Sequence, residues 1–508
     1  MIEDFFLFNP VPQRLQQPHE SSRSVPKFRR IYYIAPYSIL HTFNPSILIQ
    51  INNHLTPQDL LPKITRLWEV SAEKINHLAQ HYDHAQGSPV FTVQGKYTTR
   101  GWTEWTQGFQ YGSAILQYDA TDDTAFLDMG RKHTVTDMAA HVSHIGVHDH
   151  GFNNVSTYGN LHRLMREGRI AHNPTEQDFY ELALKVSGAV QASRWTAIPA
   201  GGFIHSFNGP HSLFVDTIRS CRSLMVAHQL GHALSTENDV KINLLHRALH
   251  HLRATADYSV FYGEGRDTYD VRGRTAHECV FNTNDGRYRC PNSQQGYTGF
   301  STWTRGLAWA MCGFAEELEY LDTLADNAFP DAAPRDQVVS FMLRAARATC
   351  DFYLEYSPTD GIPYWDTGAP HLHQLGDYLD RPSDPYNDYE PVDSSAAAIG
   401  AQGLIRLGRY LTSQGDSEAG NQYFQAGLTV LDTLLDEPYL STDPQHQGLI
   451  LHSIYHRPNG WDYVPEGSQI PNGESSMWGD YHAREVALLV QRIANHEPYY
   501  TFFKGVEK

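Results

Sequence analysis

Thr56-Pro-Gln-Asp-Leu-Leu-Pro-Lys-Ile-Thr-Arg-Leu-Trp-Glu-Val70 is where the chain changes period. Within it Leu60, Ile64, Leu67 and Val70 fall at the spacing that lines one face of a helix. Before it, Arg30-Ile-Tyr-Tyr-Ile-Ala-Pro36 and Pro45-Ser-Ile-Leu-Ile-Gln-Ile51 read as strands set among Pro- and Ser-rich stretches. After it, amphipathic segments recur to the end. The pattern predicts helices over 57–81, 107–118, 122–147, 158–167, 175–195, 212–235, 239–256, 301–324, 335–356, 393–413, 417–436 and 475–494. The loops between them are often long and rich in Gly, Pro, Asp and Trp. No strict repeat runs through them, which argues against a regular solenoid. An all-α toroid of helical hairpins, an (α/α)6 barrel, suits the alternation, although a bundle or irregular α-solenoid shares the periodicity. The expected organisation is an N-terminal extension over 1–55 and one helical domain over 56–508.

The composition excludes several functions. Among 508 residues, 39 basic side chains face 57 acidic ones, a formal charge of −18. That balance supplies no basic footprint for nucleic acid and no attraction to an anionic membrane surface. A hydrophobic share of 41% is ample for a large core. The 29 Tyr, 23 Phe and 9 Trp serve either a bulky core or stacking surfaces for sugars. No run of apolar residues is long enough to span a membrane. The first residues lack the basic region of a secretory signal, so the chain as written is expected in the cytoplasm, or in the periplasm if a leader preceded it. Five Cys do not make a disulfide scaffold, but Cys279 and Cys290 flank Asn284-Asp285-Gly286 and could face each other across a hairpin.

Two Asp-centred segments stand out. In His141-Val-Ser-His-Ile-Gly-Val-His-Asp-His-Gly-Phe152 a helix is expected to run into Gly151, leaving His148, Asp149 and His150 at its C-terminal mouth. On such a helix His141, His144 and His148 share a face and offer a metal site with Asp149, as His228 and His232 do at i and i+4. The His-Glu-x-x-His signature is absent, since His277-Glu278 is followed by Cys279. In the second segment, Asn208-Gly-Pro-His-Ser-Leu-Phe-Val-Asp-Thr-Ile218, Ser212 reads as an N-cap and Asp216 as lying one turn into a helix. The helix dipole favours the ionised form there, so a proton-donating Asp216 needs desolvation or a neighbouring carboxylate.

These residues resemble the unsaturated glucuronyl hydrolases, glycoside hydrolase family 88, and their relatives the unsaturated rhamnogalacturonyl hydrolases. The family's His-Asp-Leu-Gly-Phe box is similar to His148-Asp149-His150-Gly151-Phe152, with His150 in place of Leu. Its Ile-Asp-x-Met-Met-Asn-Leu helix is loosely similar to Val215-Asp216-Thr217-Ile218-Arg219-Ser220-Cys221. Trp105-Thr-Gln-Gly-Phe-Gln-Tyr-Gly112, Gln295-Gly-Tyr297 and Ser301-Thr-Trp-Thr-Arg-Gly-Leu-Ala-Trp309 match further boxes, Leu307 replacing the usual Gln. Gly361-Ile-Pro-Tyr-Trp-Asp366, Asp393-Ser-Ser-Ala-Ala-Ala-Ile399 and Trp478-Gly-Asp-Tyr481 follow in family order.

The resemblance implies an (α/α)6 barrel that removes a 4,5-unsaturated uronic acid from lyase-generated oligosaccharides by hydrating the C4=C5 vinyl ether. It implies Asp216 as the acid that protonates C4 and the base that activates water, with Asp149 holding sugar hydroxyls and coupling the pair's protonation. It places Trp105, Trp309 and Trp478 at the sugar site, the first two as walls for the ring. His148, His277 and Gln295 then contact sugar and water, and Arg305 pairs with the anionic group. Phe207 stands where the family has a Trp, and the loop from Asn459 to Ser476 is expected to read the next sugar, its Glu466 and Glu474 disfavouring sulfate. The chemistry needs no metal and no organic cofactor. The expected partner is an unsaturated uronic-acid oligosaccharide, with neither nucleic acid nor membrane, and the assembly a monomer or homodimer. The rival readings are an inverting glycosidase or a polysaccharide lyase on the same toroid, and an inactive carbohydrate-binding relative.

Overall fold

A computed structural model describes residues 48–100 and 105–506. The opening segment folds as its pattern predicts. Thr56 and Asp59 form a reciprocal cap on a single 3-10 turn, Pro57–Leu60, which leads into α1 (Leu61–His81). Its Ile64, Leu67, Ile75 and Leu78 are buried on one face, and the other is exposed. The strand expected over Arg30–Pro36 lies outside the described residues. Of Pro45–Ile51, residues 48–51 run without sheet pairing, because Leu48 and Gln50 donate their N–H groups to Leu354 and Thr359 carbonyls at 3.1 and 2.8 Å.

A hairpin, β1 (Phe91–Val93) with β2 (Lys96–Thr98), precedes α2 (Gln107–Thr121) and α3 (Thr124–Asp137). A single turn, α4 (Ala139–Val142), then leads through an irregular stretch to α5 (His150–Asn153), a π turn over Val155–Gly159 and α6 (Asn160–Arg166). The helix expected over 122–147 therefore stops at Asp137, and His148, Asp149 and His150 sit at the start of α5 instead of the end of a long helix. His141, His144 and His148 consequently share no helical face. Next come α7 (Pro174–Ser193), the hairpin β3 (Trp195–Ile198) with β4 (Gly201–Ile204), and β5 (Ser212–Phe214).

The second expected helix, 212–235, is also broken. Ser212 lies in β5 and not at a cap, and Asp216 directly precedes α8 (Thr217–Ser220), which continues into α9 (Arg222–Gln229). The apolar stripe through Phe214 and Ile218 arises from a strand entering a helix. His232 falls beyond the end of α9, so it makes no i, i+4 pair with His228. The ribbon β6 (Ala233–Ser235) with β7 (Lys241–Asn243) precedes α10 (Leu244–Ala254), so the helix expected over 239–256 begins later. After it, β5 pairs with β8 (Glu278–Phe281) and β8 with β9 (Tyr288–Asn292).

The hairpin around Gly286 is present, but its register sets Cys279 against Pro291 and Val280 against Cys290. Adjacent positions on a strand point to opposite faces, so Cys279 is buried while Cys290 is exposed. All five Cys are free thiols. Burial pushes the Cys279 thiol up to about 12. A thiol reagent on the native protein is therefore expected to modify Cys290 alone, and denaturation to release the other four.

The last third follows its pattern closely: α11 (Thr304–Asp322), α12 (Arg335–Tyr356), α13 (Ser394–Ser413), α14 (Ser417–Leu434) and α15 (Met477–Ala494). Along most of their length α11, α13 and α15 are buried on every side, whereas α1, α12 and α14 keep an exposed face. The difference marks two layers. An inner ring passes from α2 to the α5–α6 segment, to α8–α9, α11, α13, α15 and back to α2. Outside it stand α1, α3, α7, α10, α12 and α14, each packed on the inner ring. The inner ring is plugged by charge: Arg219 pairs with Glu316 and, at 2.9 Å, with Glu485, while Arg406 meets Glu319 at 2.7 Å. All five are fully buried, and such groups are tolerated there only in pairs.

Candidate active site

Because an outer helix separates each inner helix from the next along the chain, successive inner helices run the same way, and residues at their N-terminal ends meet. Trp105 precedes α2, Asp149 precedes α5, Asp216 precedes α8, and Trp303 and Arg305 open α11. With Phe152, Phe207, Gln294, Gln295, Trp309 and the 455–461 loop they line one pocket of about 280 Å³. Helix N-termini carry partial positive charge, which offsets locally the acidity of the whole chain.

The two carboxylates share one imidazole. His148 Nε2 lies 3.3 Å from Asp216 Oδ1 and 3.8 Å from Asp149 Oδ1. Burial pushes the Asp149 carboxyl up, and the neighbouring Asp216 adds to the shift against the pull of His148. Burial acts in the same direction on Asp216, but the His148 hydrogen bond and the neighbouring His148, His277 and Arg305 side chains hold it below its usual range. His148 is pushed down by burial and raised further by the two carboxylates, so its net shift is upward. The sequence leads one to expect a raised Asp216. The structure instead raises Asp149 and lowers Asp216, because the histidine hydrogen-bonds Asp216.

The segments bearing the two Asp are stitched together at backbone level. Ser220 Oγ donates to the His148 carbonyl at 2.7 Å and accepts from Gly151 N at 2.8 Å. Gln191 of α7 donates to the same carbonyl at 3.0 Å, and Arg222 Nε donates to Gly151 O at 3.0 Å. His150, the departure from the family's Leu, faces away: its ring bonds Ser187 Oγ and the His144 carbonyl, and burial drops its pKa to about 4. Leu307 occupies an apolar core position.

Of the sequence-derived residues, Trp105, His148, Asp149, Asp216, Gln295, Arg305 and Trp309 line the pocket, while His277 and Trp478 stand behind it. Trp478 is fully buried and stacks on Trp105 at 5.0 Å. His277 is wedged between Phe214 and Trp303, at 4.4 and 4.6 Å. Its Nδ1 accepts from the Gln294 and Gln295 N–H groups at 3.0 and 3.4 Å, which fixes the proton on Nε2. Phe207 takes a wall position, stacked on His148 at 6.0 Å.

Arg305 is more constrained than its motif suggests. Nη1 meets Asp393 at 3.3 Å and the Ile454 carbonyl, and Nη2 donates to Tyr455 O at 2.8 Å and to Gln295 Oε1 at 2.7 Å. With Gln295 Oε1 so occupied, its NH2 is left as the donor. Tyr455, His456, Asn459, Trp461, Trp303 and Gln294 complete the lining. Asn459 and Trp461 belong to the loop expected to read the next sugar, and Trp303 lies inside a quoted box, whereas Gln294, Tyr455 and His456 only adjoin quoted segments and were not singled out. Glu474 belongs to the scaffold, accepting from Gln94 N and Gly95 N at 2.8 and 3.2 Å.

No protein-family model matches the chain. An unsaturated glucuronyl hydrolase from Formosa agariphila is 25% identical over 395 residues, covering 77% of this chain and 80% of that protein. An unsaturated glucuronyl hydrolase from Bacillus sp. GL1 is 25% identical over 435 residues, 83% of this chain and 94% of that protein. The crystal structure of an unsaturated glucuronyl hydrolase from Streptococcus agalactiae superposes with a TM-score of 0.65 at 20% identity, covering 92% of this chain and all of that one. The fold is thus the helical barrel of these enzymes. Over most of its length, in sequence and in fold, the chain is a relative of the unsaturated glucuronyl hydrolases.

Proposed function

We propose that this protein is a glycoside hydrolase that removes a 4,5-unsaturated uronic acid from the non-reducing end of lyase-generated oligosaccharides. The observation that carries the reading is the His148 imidazole bridging a raised Asp149 and a lowered Asp216 at the base of an aromatic pocket. Such a trio shares its protons among three contiguous groups and titrates as a unit. Trp105 and Trp309 flank the ring, and the Gln295 NH2, oriented by Arg305, donates to the sugar's carboxylate. The arriving anion disfavours a second negative charge beside it, so the Nε2 proton of the His148 imidazolium passes to Asp216 and the Asp149 carboxyl returns a proton to Nε2. Asp216 delivers it to C4. Positive charge develops at C5 and the ring oxygen, and the Asp216 carboxylate then takes a proton from the water that adds at C5. The hemiketal opens and releases the remaining saccharide. Every proton and oxygen comes from the trio or from water.

A pH-dependent stability follows. A carboxyl whose folded pKa lies above its unfolded value binds more protons when folded, so stability falls as pH rises through that window. Asp149→Asn removes this loss. The variant is expected to melt higher than wild type at pH 7, with the gain vanishing below about pH 4, where the carboxyl is protonated in both states. An equal or lower melting temperature at pH 7 removes the raised Asp149 from the account.

Absorbance decay on a panel of lyase-generated unsaturated disaccharides tests the activity itself. The guanidinium that lines the pocket is already engaged by protein acceptors, so unsulfated disaccharides are expected to be preferred at least about tenfold in kcat/KM over sulfated ones. Appearance of ene absorbance on a polymer would instead indicate a lyase.

A further inference from the structure

Met477, Asp480 and Arg484, on the helix whose Trp478 backs the catalytic wall, line a separate crevice of about 130 Å³ between α1, α2 and α15. Its polar groups are unequally satisfied. Lys74 is held by Ser441 Oγ, Asp443 O and His446 O at 3.2, 2.5 and 2.7 Å. Asp480 accepts from Tyr97 Oη, Leu449 N and Ile450 N at 2.7, 2.9 and 3.0 Å.

Arg484 differs. It is 3% exposed, and it donates Nε to Ser71 Oγ and Nη1 to Ser113 Oγ at 2.7 and 3.2 Å. Among the described residues no carboxylate lies within 4.0 Å of it, and Nη2 has no acceptor. Gln110 completes the deficit, since among the described residues its buried Oε1 has no hydrogen-bond partner. Lys74 and Arg484 against Asp480 leave one net positive charge in the crevice lining.

We infer that this crevice is a second, non-catalytic site for a short monocarboxylate. One carboxylate oxygen accepts from Arg484 Nη2 and the other from the Gln110 NH2, whose orientation is reversible. The carbon body lies against Leu78, Ala114 and Met477. A single negative charge balances the lining, whereas a phosphate or sulfate dianion overshoots it. The volume compares with that of an apolar cavity which takes benzene, and so limits the guest to about six heavy atoms. Only the two turnover controls below rest on the hydrolase reading; the binding measurements do not.

Calorimetric titration of the full chain with butyrate tests the site, with n-butanol as the uncharged control. Saturable one-to-one binding is expected, at least tenfold weaker for butanol and at least tenfold weaker in Arg484→Lys and Gln110→Leu. Gln110 is half-buried, so Gln110→Leu decides if Arg484→Lys fails to fold, circular dichroism confirming the fold of each. Gln110→Leu is also expected to turn over an unsaturated disaccharide within twofold of wild type, and butyrate not to compete with that substrate. No butyrate heat with wild type would mean that the crevice holds water only. That result, undiminished binding in Gln110→Leu, or competition with the disaccharide each overturns the inference.

Discussion

Asp216→Asn is expected to slow the loss of the 4,5-ene absorbance by about 10²–10⁴-fold, the range general acid–base groups supply. The substitution keeps the side chain's shape and leaves an amide that still bonds His148. What it removes is the ability to receive the proton from His148 and deliver it to C4. Circular dichroism is expected to match wild type, because Asp216 caps no helix with its side chain, while the melting temperature at pH 7 falls, since a carboxyl held below its usual range contributes stability there. Full activity in this variant removes Asp216 from the chemistry.

Gly151→Ala is the second large effect, and it acts through backbone spacing. A Cβ at Gly151 would lie 2.2 Å from Ser220 O and 2.6 Å from Ser220 Cα. No side chain can yield there, so the chain segment bearing Asp149 must move away from the one bearing Asp216. The Ser220 and Arg222 bonds to Gly151 lengthen with it. Overpacking of this kind costs about 1–3 kcal/mol, and displacement by about 1 Å at a reacting centre costs about a hundredfold in rate. A melting temperature lowered by several degrees, with turnover reduced at least about tenfold, is the expected pair of results. Unchanged turnover would show that the spacing of the two carboxylates does not matter.

The uninterrupted helices were the legible part of the fold. Helices α11 to α15 carry long apolar periodicities with caps such as Asp393 and Ser476, and their expected bounds fall within a few residues of the observed ones. The two Asp-bearing segments were misread as helical for the same physical reason in both cases. Phe214, Val215 and Ile218 are buried because a strand ends where a short helix begins, and such a junction imitates helical spacing. Likewise His141 to His148 is an irregular connection whose polar spacing imitates a helix face. Seven of the nine expected site residues still line one pocket, because motif order and not secondary structure located them. What no motif could report was the division of charge. That Asp149 is raised and Asp216 lowered depends on which oxygen the His148 ring faces, and that Arg305 is engaged depends on carbonyls some 150 residues away. Both are properties of tertiary contacts alone.

The central claim is that the proton goes to C4, and turnover of an unsaturated disaccharide in deuterium oxide tests it most directly. Hydration of the vinyl ether predicts a released 4-deoxy sugar with one deuterium at C4 in a single configuration, delivered from one face by Asp216. A released monosaccharide that still holds its C4=C5 bond, and gains deuterium at C4 on both faces only as it tautomerises in solution, would contradict it.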